Sequence, residues 1–361
     1  MRVAVLVSND LTYDQRVSKI CDSLQHKNWE VRLIGVLKSG SSPLQRNYST
    51  QRLNVFFSKG PLFYFMLNVR MFFYLLFHKT DVIWANDLDV LWPAVLMKKL
   101  RGTKVIYDSH EYFTEAEGLT GRDRIKAIWT RIEERCIPHV DLFITVNESI
   151  ASIYRKKYSR EVFVQRNMPV LLKDESEREV LFEVKTVVLQ GAYIDPDRGG
   201  MELVEAFQYL EGIQLLIVGA GRDLENIKRR IIELHLEEKV KVLPRMSYFD
   251  LKKLTQRVHL GVSLDKPLHL NYTLSLPNKL FDYIHAGVPV LVSNLVEPAR
   301  IVNEYHVGEV VEEVTPKIIA EGIQKVLNSA SYNEYRAATK KAKSALHWQA
   351  DFDRLDFSII Y

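Results

Sequence analysis

The chain has 361 residues, 47% of them hydrophobic, and a net charge of +4. This length exceeds what a single core usually spans, so two domains are expected. Residues 1–170 carry 25 Lys and Arg against 17 Asp and Glu, and residues 171–361 carry 24 against 28. The weak overall charge argues against nucleic-acid binding, whereas the basic first half predicts an anionic surface or substrate.

The start of the chain and its cysteines bear on location. An apolar strand pattern begins directly after Met1 and leaves no room for a signal peptide. Cys21 and Cys136 lie far apart without metal-ligand spacing, as is typical of reduced, buried thiols. We therefore expect the protein in the cytoplasm, with the inner face of the membrane as an alternative.

Short apolar strands alternate with helical patterns along the first half. Strands are predicted at 3–7, 31–34, 81–85, 105–107, 142–146 and 162–164. Apolar residues at helical spacing lie between them, most clearly around 17–24 and 125–136. This alternation predicts βαβ units, in which parallel strands are covered by helices on both faces.

One helical pattern of the first half, at 61–77, is almost wholly apolar. It is too short and too interrupted for a transmembrane helix. A buried helix is the simpler interpretation. The alternative is an interfacial helix, flanked by Lys59 and Lys79, that lies on a membrane or meets a lipid-linked acceptor.

The same alternation starts again after residues 171–180, a polar and charge-dense stretch that we interpret as a linker. Strands are predicted at 187–190, 215–218, 240–243, 260–263 and 288–292, and helices at 201–210, 224–235, 250–257 and 317–328. The predicted fold class is α/β, with two Rossmann-like domains, each a doubly wound parallel sheet, facing each other across a cleft. The first domain spans 1–170 with a returning C-terminal helix at about 345–361, and the second spans 171–344.

Polar side chains follow three predicted strands of the first half. They are Asn9 and Asp10, then Asp87, then His110 and Glu111. Any one of them could be a helix cap, but the carboxyl ends of parallel strands meet at one sheet edge. Together they predict a polyhydroxylated ligand, with these residues facing an acceptor or a sugar.

Residues 275–289 combine a predicted helix start with two charged side chains. Pro277 and Asn278 suit the first helical turn, whose N–H groups and positive dipole end attract an anion. Lys279 adds a mobile positive charge, and Asp282 can accept hydrogen bonds from two vicinal hydroxyls. An ordinary amphipathic helix, with Lys279 and Asp282 as a solvated ion pair, is the alternative.

Two glycine-containing turns in the second half point to the same chemistry. Gly191 ends a strand, and Gly199 follows Arg198, whose guanidinium can bind phosphate bidentately. Gly219 lies in a strand-to-helix turn that lacks the third glycine of a dinucleotide fingerprint. We expect this turn near the donor, and an NAD-dependent dehydrogenase is disfavoured.

The order of these motifs resembles the retaining glycosyltransferases of family 4, which have the two-domain architecture called GT-B. The resemblance covers nearly the whole chain. It rests on NDLD (86–89), YDSHE (107–111), the turn at 198–199, IVGAG (217–221) and PNKLFDYIHAGVPV (277–290). It implies that Asp282 binds the ribose, that Arg198 binds the donor diphosphate and that His110 faces the donor sugar. The loop 242–247, with Arg245, is similar to the region that holds the base.

Two positions depart from the family pattern. Leu274 stands where the family has a glutamate, and Tyr193 stands where an arginine is expected. Backbone N–H groups of residues 275–278 are then expected to serve the donor sugar. The diphosphate charge is expected to rest on Arg198, the helix start and Lys279.

The sequence thus predicts a hexosyltransferase-type enzyme of polysaccharide or glycoconjugate assembly that needs neither a metal nor a cofactor. Its partners would be a nucleotide-sugar donor, a glycan or lipid-linked acceptor and a membrane surface contacted by the basic first domain. The predicted catalytic residues are His110, Arg198 and Lys279; the predicted donor-binding residues are Gly191, Gly199, Gly219, Arg245, Ser275, Leu276, Pro277, Asn278 and Asp282. A catalytically silent sugar-nucleotide-binding subunit and a nucleotide-sugar epimerase on the same fold remain alternatives. Metalloprotease, P-loop and hydrolase-elbow motifs are absent from the sequence.

Overall fold

The computed structural model describes residues 1–12, 14–171, 180–328 and 330–361. Within them the chain divides into two compact units. The first comprises Met1–Asn167 together with Asp351–Tyr361, and the second comprises Met168–Ala350. The interior of the stretch interpreted as a linker, residues 172–179, lies outside the described residues.

A parallel sheet forms the centre of the first unit. Its strands in the described residues are β1 Arg2–Leu6, β2 Glu30–Leu37, β3 Ser49–Asn54, β4 Val82–Asn86, β5 Lys104–Ser109, β6 Leu142–Thr145 and β7 Phe163–Val164, in the order 3-2-1-4-5-6-7. The helices are α1 Gln15–His26, α2 Pro61–Phe77, α3 Leu91–Arg101, α4 Asp123–Cys136 and α5 Glu148–Tyr158. Strand β4 is buried along its whole length because the sheet is covered on both faces.

The second unit repeats this plan. Its strands in the described residues are β8 Lys185–Gly191, β9 Ile213–Gly219, β10 Val240–Leu243, β11 Leu260–Ser263, β12 Val290–Ser293 and β13 Gly308–Val311, in the order 10-9-8-11-12-13. The helices are α6 Gly200–Ala206, α7 Leu224–Glu233, α8 Tyr248–Arg257, α9 Leu270–Thr273, α10 Asn278–Ala286, α11 Val296–Tyr305, α12 Pro316–Asn328 and α13 Tyr332–Ala345. A last short helix, α14, spans Trp348–Phe352.

The two sheets confirm the predicted doubly wound α/β fold. In each unit the first strand pairs in parallel with the second strand on one side and the fourth on the other. The chain therefore winds outward in both directions, and folds of this kind bind ligands outside the carboxyl ends of these central strands. The sequence pattern does not predict β3 and β13, which are edge strands; β3, with the sequence STQRLN, is polar because an edge strand faces solvent.

Helix α2 corresponds to the apolar stretch noted in the sequence. It buries Phe63, Leu67, Met71 and Leu75 along one face. Within the described ranges, no helix has both the length and the apolar character needed to cross a bilayer.

An ion pair ties the end of the chain to the first unit. Arg166 donates from Nη2 to Asp351 Oδ1 at 2.6 Å and from Nε to Asp351 Oδ2 at 2.8 Å. The Arg166 backbone N–H also donates to Asp351 Oδ2, at 3.0 Å. Because Asp351 is only 3% exposed, its charge depends on this arginine.

Replacing Asp351 by Ala should therefore lower the free energy of unfolding by about 3 kcal/mol, because the largely covered Arg166 guanidinium loses its carboxylate. Urea unfolding followed by circular dichroism measures the change. Asp353→Ala is the matched control, since that carboxylate is 71% exposed and lies 3.8 Å from Lys27 Nζ. Equal losses in the two variants would contradict an anchoring role for Asp351.

Candidate functional site

A buried carboxylate joins two of the predicted phosphate-binding cations in the second unit. Asp265 follows β11 at its carboxyl end and is 1% exposed. Its Oδ1 accepts a hydrogen bond from Arg198 Nη1 at 2.6 Å, and its Oδ2 lies 3.3 Å from Lys279 Nζ. Arg198 comes from the turn before α6 and Lys279 from the first turn of α10. Asp265 therefore brings together two side chains that are far apart in sequence.

The charges of this cluster depend on one another. Burial by itself would raise the pKa of Asp265, but Lys279 and Arg198 hold that pKa below its ordinary value. Burial lowers the pKa of Lys279, and Asp265 opposes that shift. When all three groups are ionised, the cluster carries a net charge of +1, so positive charge remains for an anionic ligand.

The two cations differ in accessibility. The Arg198 side chain is 26% exposed and the Lys279 side chain 11%. Lys279 is therefore not the mobile charge that the sequence indicates, because its ammonium is buried beside Asp265. It also differs from the alternative interpretation, in which Lys279 forms a solvated pair with Asp282.

Neighbouring side chains hold the cluster in place. Ser263 Oγ donates to Asp265 Oδ2 at 2.9 Å, and Ser293 Oγ donates to the Asp265 carbonyl oxygen at 2.6 Å. The Arg198 guanidinium lies 4.7 Å from the centre of the Tyr272 ring, at cation–π distance. Both cations therefore have fixed positions before any ligand arrives.

Helix α10 starts beside this cluster. Pro277 is its N-cap, Asn278 its first residue and Gly287 its left-handed C-cap with φ 74°. The first N–H groups of a helix have no partner within the helix and form its positive end. Leu276 directly precedes this start, whereas the N–H of Ser275 already donates to the Tyr272 carbonyl oxygen at 3.0 Å. The Ser275 N–H, which is expected to bind the donor sugar, therefore already has a hydrogen-bond partner within the fold.

The predicted ribose carboxylate lies near the end of β8. Asp282 Oδ1 accepts from Tyr248 Oη at 3.4 Å, and Asp282 Oδ2 lies 3.5 Å from Gln190 Nε2. Gln190 is itself oriented by Thr255, whose Oγ1 donates to Gln190 Oε1 at 2.8 Å. Both of these contacts are long for hydrogen bonds.

The three predicted donor-site glycines have packing roles in the structure. Gly199 has φ 69°, and a Cβ there would lie 2.5 Å from the Leu264 carbonyl oxygen, so only glycine lets the Arg198 turn approach Asp265. Gly191 and Gly219 are partners across β8 and β9, and a Cβ on Gly219 would lie 1.9 Å from the Gly191 carbonyl oxygen. Arg245 is exposed on the loop between β10 and α8.

A second charged cluster lies at strand ends of the first unit. His110 follows β5, and its Nδ1 lies 3.3 Å from Asp87 Oδ2 while its Nε2 lies 3.5 Å from Asp108 Oδ2. The His110 backbone N–H donates to Asp87 Oδ1 at 2.8 Å. Asp108 is fully buried and accepts from Arg16 Nη2 at 2.6 Å and from Arg16 Nε at 3.2 Å.

These carboxylates keep His110 protonated. Burial alone would lower the pKa of His110, but Asp87 and Asp108 outweigh burial and raise that pKa to about 9. Burial would raise the pKa of Asp108, but Arg16 and His110 lower it to about 2. At neutral pH, His110 is therefore a cation that donates hydrogen bonds and does not accept protons.

The remaining residues predicted to face an acceptor have local contacts. Asn9 Nδ2 donates to Asp14 Oδ2 at 2.7 Å, and Asp10 Oδ1 accepts from the Thr12 N–H at 3.0 Å. The Glu111 carbonyl oxygen accepts from Ser109 Oγ at 2.7 Å. The structure thus brings Asp87 and His110 into contact, while Asn9 and Asp10 support the loop after β1.

Two buried partners escape sequence reasoning. Asp265 could have been noticed as a carboxylate directly after an apolar strand, the signal that identifies Asp87 and His110. Arg16 gives no such signal, because it occupies an ordinary position on an amphipathic helix. Among the described residues, no three His, Cys, Asp or Glu side chains form a group that could hold a metal ion.

Comparisons with known proteins agree with this geometry. Residues 15–166 match the family model described as Glycosyltransferase Family 4, and residues 173–345 match the model described as Glycosyl transferases group 1. No curated protein matches the chain in sequence.

Several solved structures share the fold. Sucrose-phosphate synthase from Thermosynechococcus elongatus has a TM-score of 0.77 at 16% identity, covering 97% of this chain and 96% of its own. HepE from Anabaena, in complex with UDP-glucose, has a TM-score of 0.72 at 14% identity, covering 100% and 97%. WaaG, a glycosyltransferase involved in lipopolysaccharide biosynthesis, has a TM-score of 0.66 at 16% identity, covering 99% and 97%.

The His110 cluster generates a pH prediction. Imidazole resonances should report a pKa of about 9 for His110, and Asp87→Asn should lower it because a carboxylate that stabilises the cation is removed. Since the pKa is higher in the folded state, protonation stabilises the fold fully below pH about 6.5, and this stabilisation is lost as the pH rises through about 9. His139, whose pKa is lowered by burial and by Lys99, is the internal control. A His110 pKa near the ordinary value of 6.5 in both the wild type and the Asp87→Asn variant would refute the assignment.

Proposed function

The chain belongs to the group 1 glycosyltransferases, and from this premise we propose that it transfers a sugar, with retention at the anomeric carbon, from a nucleotide diphosphate sugar to an acceptor hydroxyl. The observation that carries the proposal is the Asp265-held pair of Arg198 and Lys279 beside the first turn of α10. Two cations next to a helix start are suited to a diphosphate.

The donor is bound by the second unit in this proposal. Asp282 accepts hydrogen bonds from the ribose, and the loop with Arg245 lies along the base. Support comes from HepE, which shares the fold and was solved with UDP-glucose. The N–H groups at the start of α10 and the Arg198 guanidinium are assigned to the diphosphate, with Gly199 permitting the approach of that turn.

The chemical step separates charge. The bond between the anomeric carbon and the phosphate oxygen breaks, and its electron pair leaves with the nucleoside diphosphate. The acceptor oxygen bonds to the same face of the sugar, and its proton passes to the departing phosphate. Preorganised donors aimed at the growing negative charge contribute about 3 kcal/mol each to lowering the barrier. Arg198 and Lys279 supply this charge in the proposal, which invokes no metal ion or cofactor.

The first unit takes the acceptor. Its strand-end residues Asp87, His110 and Glu111 offer hydrogen bonds to a glycan or a lipid-linked acceptor. His110, protonated at neutral pH, donates to a sugar hydroxyl or to developing negative charge and is not the base. The setting we propose is polysaccharide or glycoconjugate assembly in the cytoplasm, at the inner face of the membrane.

A catalytically silent sugar-nucleotide-binding subunit is the second candidate. Leu274 and the exposed Tyr193 favour it, because neither side chain can supply the carboxylate or guanidinium found at these positions in the family. Slow hydrolysis of the donor by the purified chain, with no acceptor present, would argue against a silent subunit.

The donor assignment predicts a ligand-specific thermal shift. Among UDP-, GDP-, ADP- and dTDP-sugars, the cognate donor at 100 times its dissociation constant should add about 2.7 kcal/mol of apparent stability. Asp282→Ala should reduce the shift because the ribose loses its acceptor, whereas Glu225→Ala, at an exposed position on α7, should leave it unchanged. If no nucleotide sugar raises the melting temperature of the wild-type chain, the donor-site assignment fails.

The phosphate assignment predicts a loss of kcat in the folded enzyme, separate from the loss of stability that follows when the buried Asp265 carboxylate loses one of its partners. Arg198→Ala and Lys279→Ala should each lower kcat by about 100-fold, because each removes a cation that stabilises the negative charge on the leaving group. Arg230→Ala is the control, since Arg230 pairs with Glu205 and Glu233 on the surface of the second unit. Initial rates and melting curves on the same preparations separate the two effects. Wild-type turnover in both Arg198 and Lys279 variants would overturn the proposal.

A further inference from the structure

Helix α2 presents an apolar face to solvent. Leu62, Phe65, Phe73 and Phe77 are each more than half exposed. They recur at helical spacing with half-buried Met66, Val69, Phe72 and Leu76 between them, so all eight lie within one stripe of the helix surface. Phe56, whose side chain is exposed, lies next to this stripe, because its backbone N–H donates to Met66 Sδ at 3.4 Å. We call these nine residues the α2 face.

The opposite side of α2 is firmly packed. Phe63, Leu67, Met71 and Leu75 are buried, and Asn68 Nδ2 donates to the Asp89 carbonyl oxygen at 2.8 Å. The helix is therefore held in place by one side while the other side stays exposed. Neither of the two interpretations of the sequence is complete, because the stretch is buried on one side only.

Three cations border the α2 face, and the surrounding sequence is basic. Residues 31–80 contain seven Lys and Arg, namely Arg32, Lys38, Arg46, Arg52, Lys59, Arg70 and Lys79, and no Asp or Glu. Lys59 and Lys79 flank the helix, Arg70 lies at the border of the stripe, and all three are exposed. In the part of the chain that the structure describes, no carboxylate lies within ion-pair distance of these three. A partner that covers the face must therefore tolerate several uncompensated positive charges.

A ring contact joins α2 to helix α4. The Tyr64 and Trp129 rings meet edge to face with their centres 5.3 Å apart. Helix α4 also exposes Ile128 and the nearby Arg124. The combination of exposed apolar side chains and cations thus extends beyond one helix.

We propose that the α2 face docks on a lipid bilayer that carries anionic headgroups. An amphipathic helix with aromatic side chains on one side and cations at its borders lies in the interface, with its apolar side among the acyl chains. A helix of this length spans about 25 Å, which suits lying in the plane of the surface. Anionic headgroups supply the negative charges that would pair with Lys59, Arg70 and Lys79.

A second copy of the chain fits the face less well. A two-fold pairing would place identical patches against each other, and each patch carries the same cations. Like charges brought together without carboxylates oppose such a dimer. A bilayer satisfies both the apolar side chains and the cations at once.

Vesicle sedimentation tests the proposal. The wild-type chain should bind vesicles of phosphatidylcholine with 30% phosphatidylglycerol, and the double variant Phe65→Ser/Phe73→Ser should bind with a partition coefficient at least about tenfold lower. Lys59→Glu combined with Lys79→Glu should lower binding to these vesicles by at least about tenfold and flatten its salt dependence. Ile232→Ser, an exposed apolar position on α7 of the second unit, is the matched control and should bind like the wild type.

Companion measurements separate a loss of membrane binding from unfolding and from dimer formation. Circular dichroism melts should show that the variants remain folded, since the substituted side chains are exposed. The donor-induced thermal shift should persist in the Phe65→Ser/Phe73→Ser variant, so loss of membrane binding and failure of the donor assignment are distinguishable. Equal vesicle binding by the wild type and this variant would overturn the proposal. So would a wild-type dimer in sedimentation equilibrium that dissociates in the same variant, because the face would then be an interface between copies.

Discussion

The parallel pairing of one central strand with two neighbours on opposite sides is the constraint on which both units depend. Because every strand pair among the described residues is parallel, the strands of a unit all end at the same edge of its sheet. Side chains distant in sequence therefore meet there: Arg198 with Asp265, and Arg16 with Asp108. Burying the apolar strands on both faces forces the polar residues to these ends, so the topology that makes the core also makes the candidate site.

Both units pair a buried carboxylate at the end of a strand with two cations. Each places a fully or almost fully buried carboxylate at the end of a strand, Asp108 at the end of β5 and Asp265 just after β11. Such a group is stable only when it is paired, and in both cases an arginine donates to it at 2.6 Å while a second cation stands on its other side. That second cation is His110 in the first unit and Lys279 in the second. The partly exposed cations are the groups that can face a ligand, and the buried carboxylates hold them in position.

Sequence reasoning succeeds where the information is local. The start of α10 at Asn278, its end at Gly287 and the alternation of strands and helices follow from turn chemistry and apolar periodicity within short windows. It fails where the partner is distant: Asp265 contacts Arg198 across 67 positions, and no spacing rule links them. It also misses the edge strands β3 and β13, because partly exposed strands lack a continuous apolar pattern. The misjudged mobility of Lys279 has the same origin, since its burial is set by Asp265 and not by the helix that carries it.

The presence of Asp265 changes what the two cations can do. Without a carboxylate, two adjacent positive side chains would repel each other and turn toward solvent, and a ligand would have to gather them. With Asp265 they are held close together before binding, and the carboxylate offsets only one of the two charges. The remaining charge attracts an anion, and the fixed geometry means that little reorganisation accompanies the growth of negative charge on a leaving group. The buried carboxylate reduces the net positive charge of the cluster but holds both cations in one orientation. Cations that are already oriented toward the leaving group lower the barrier of a charge-separating step.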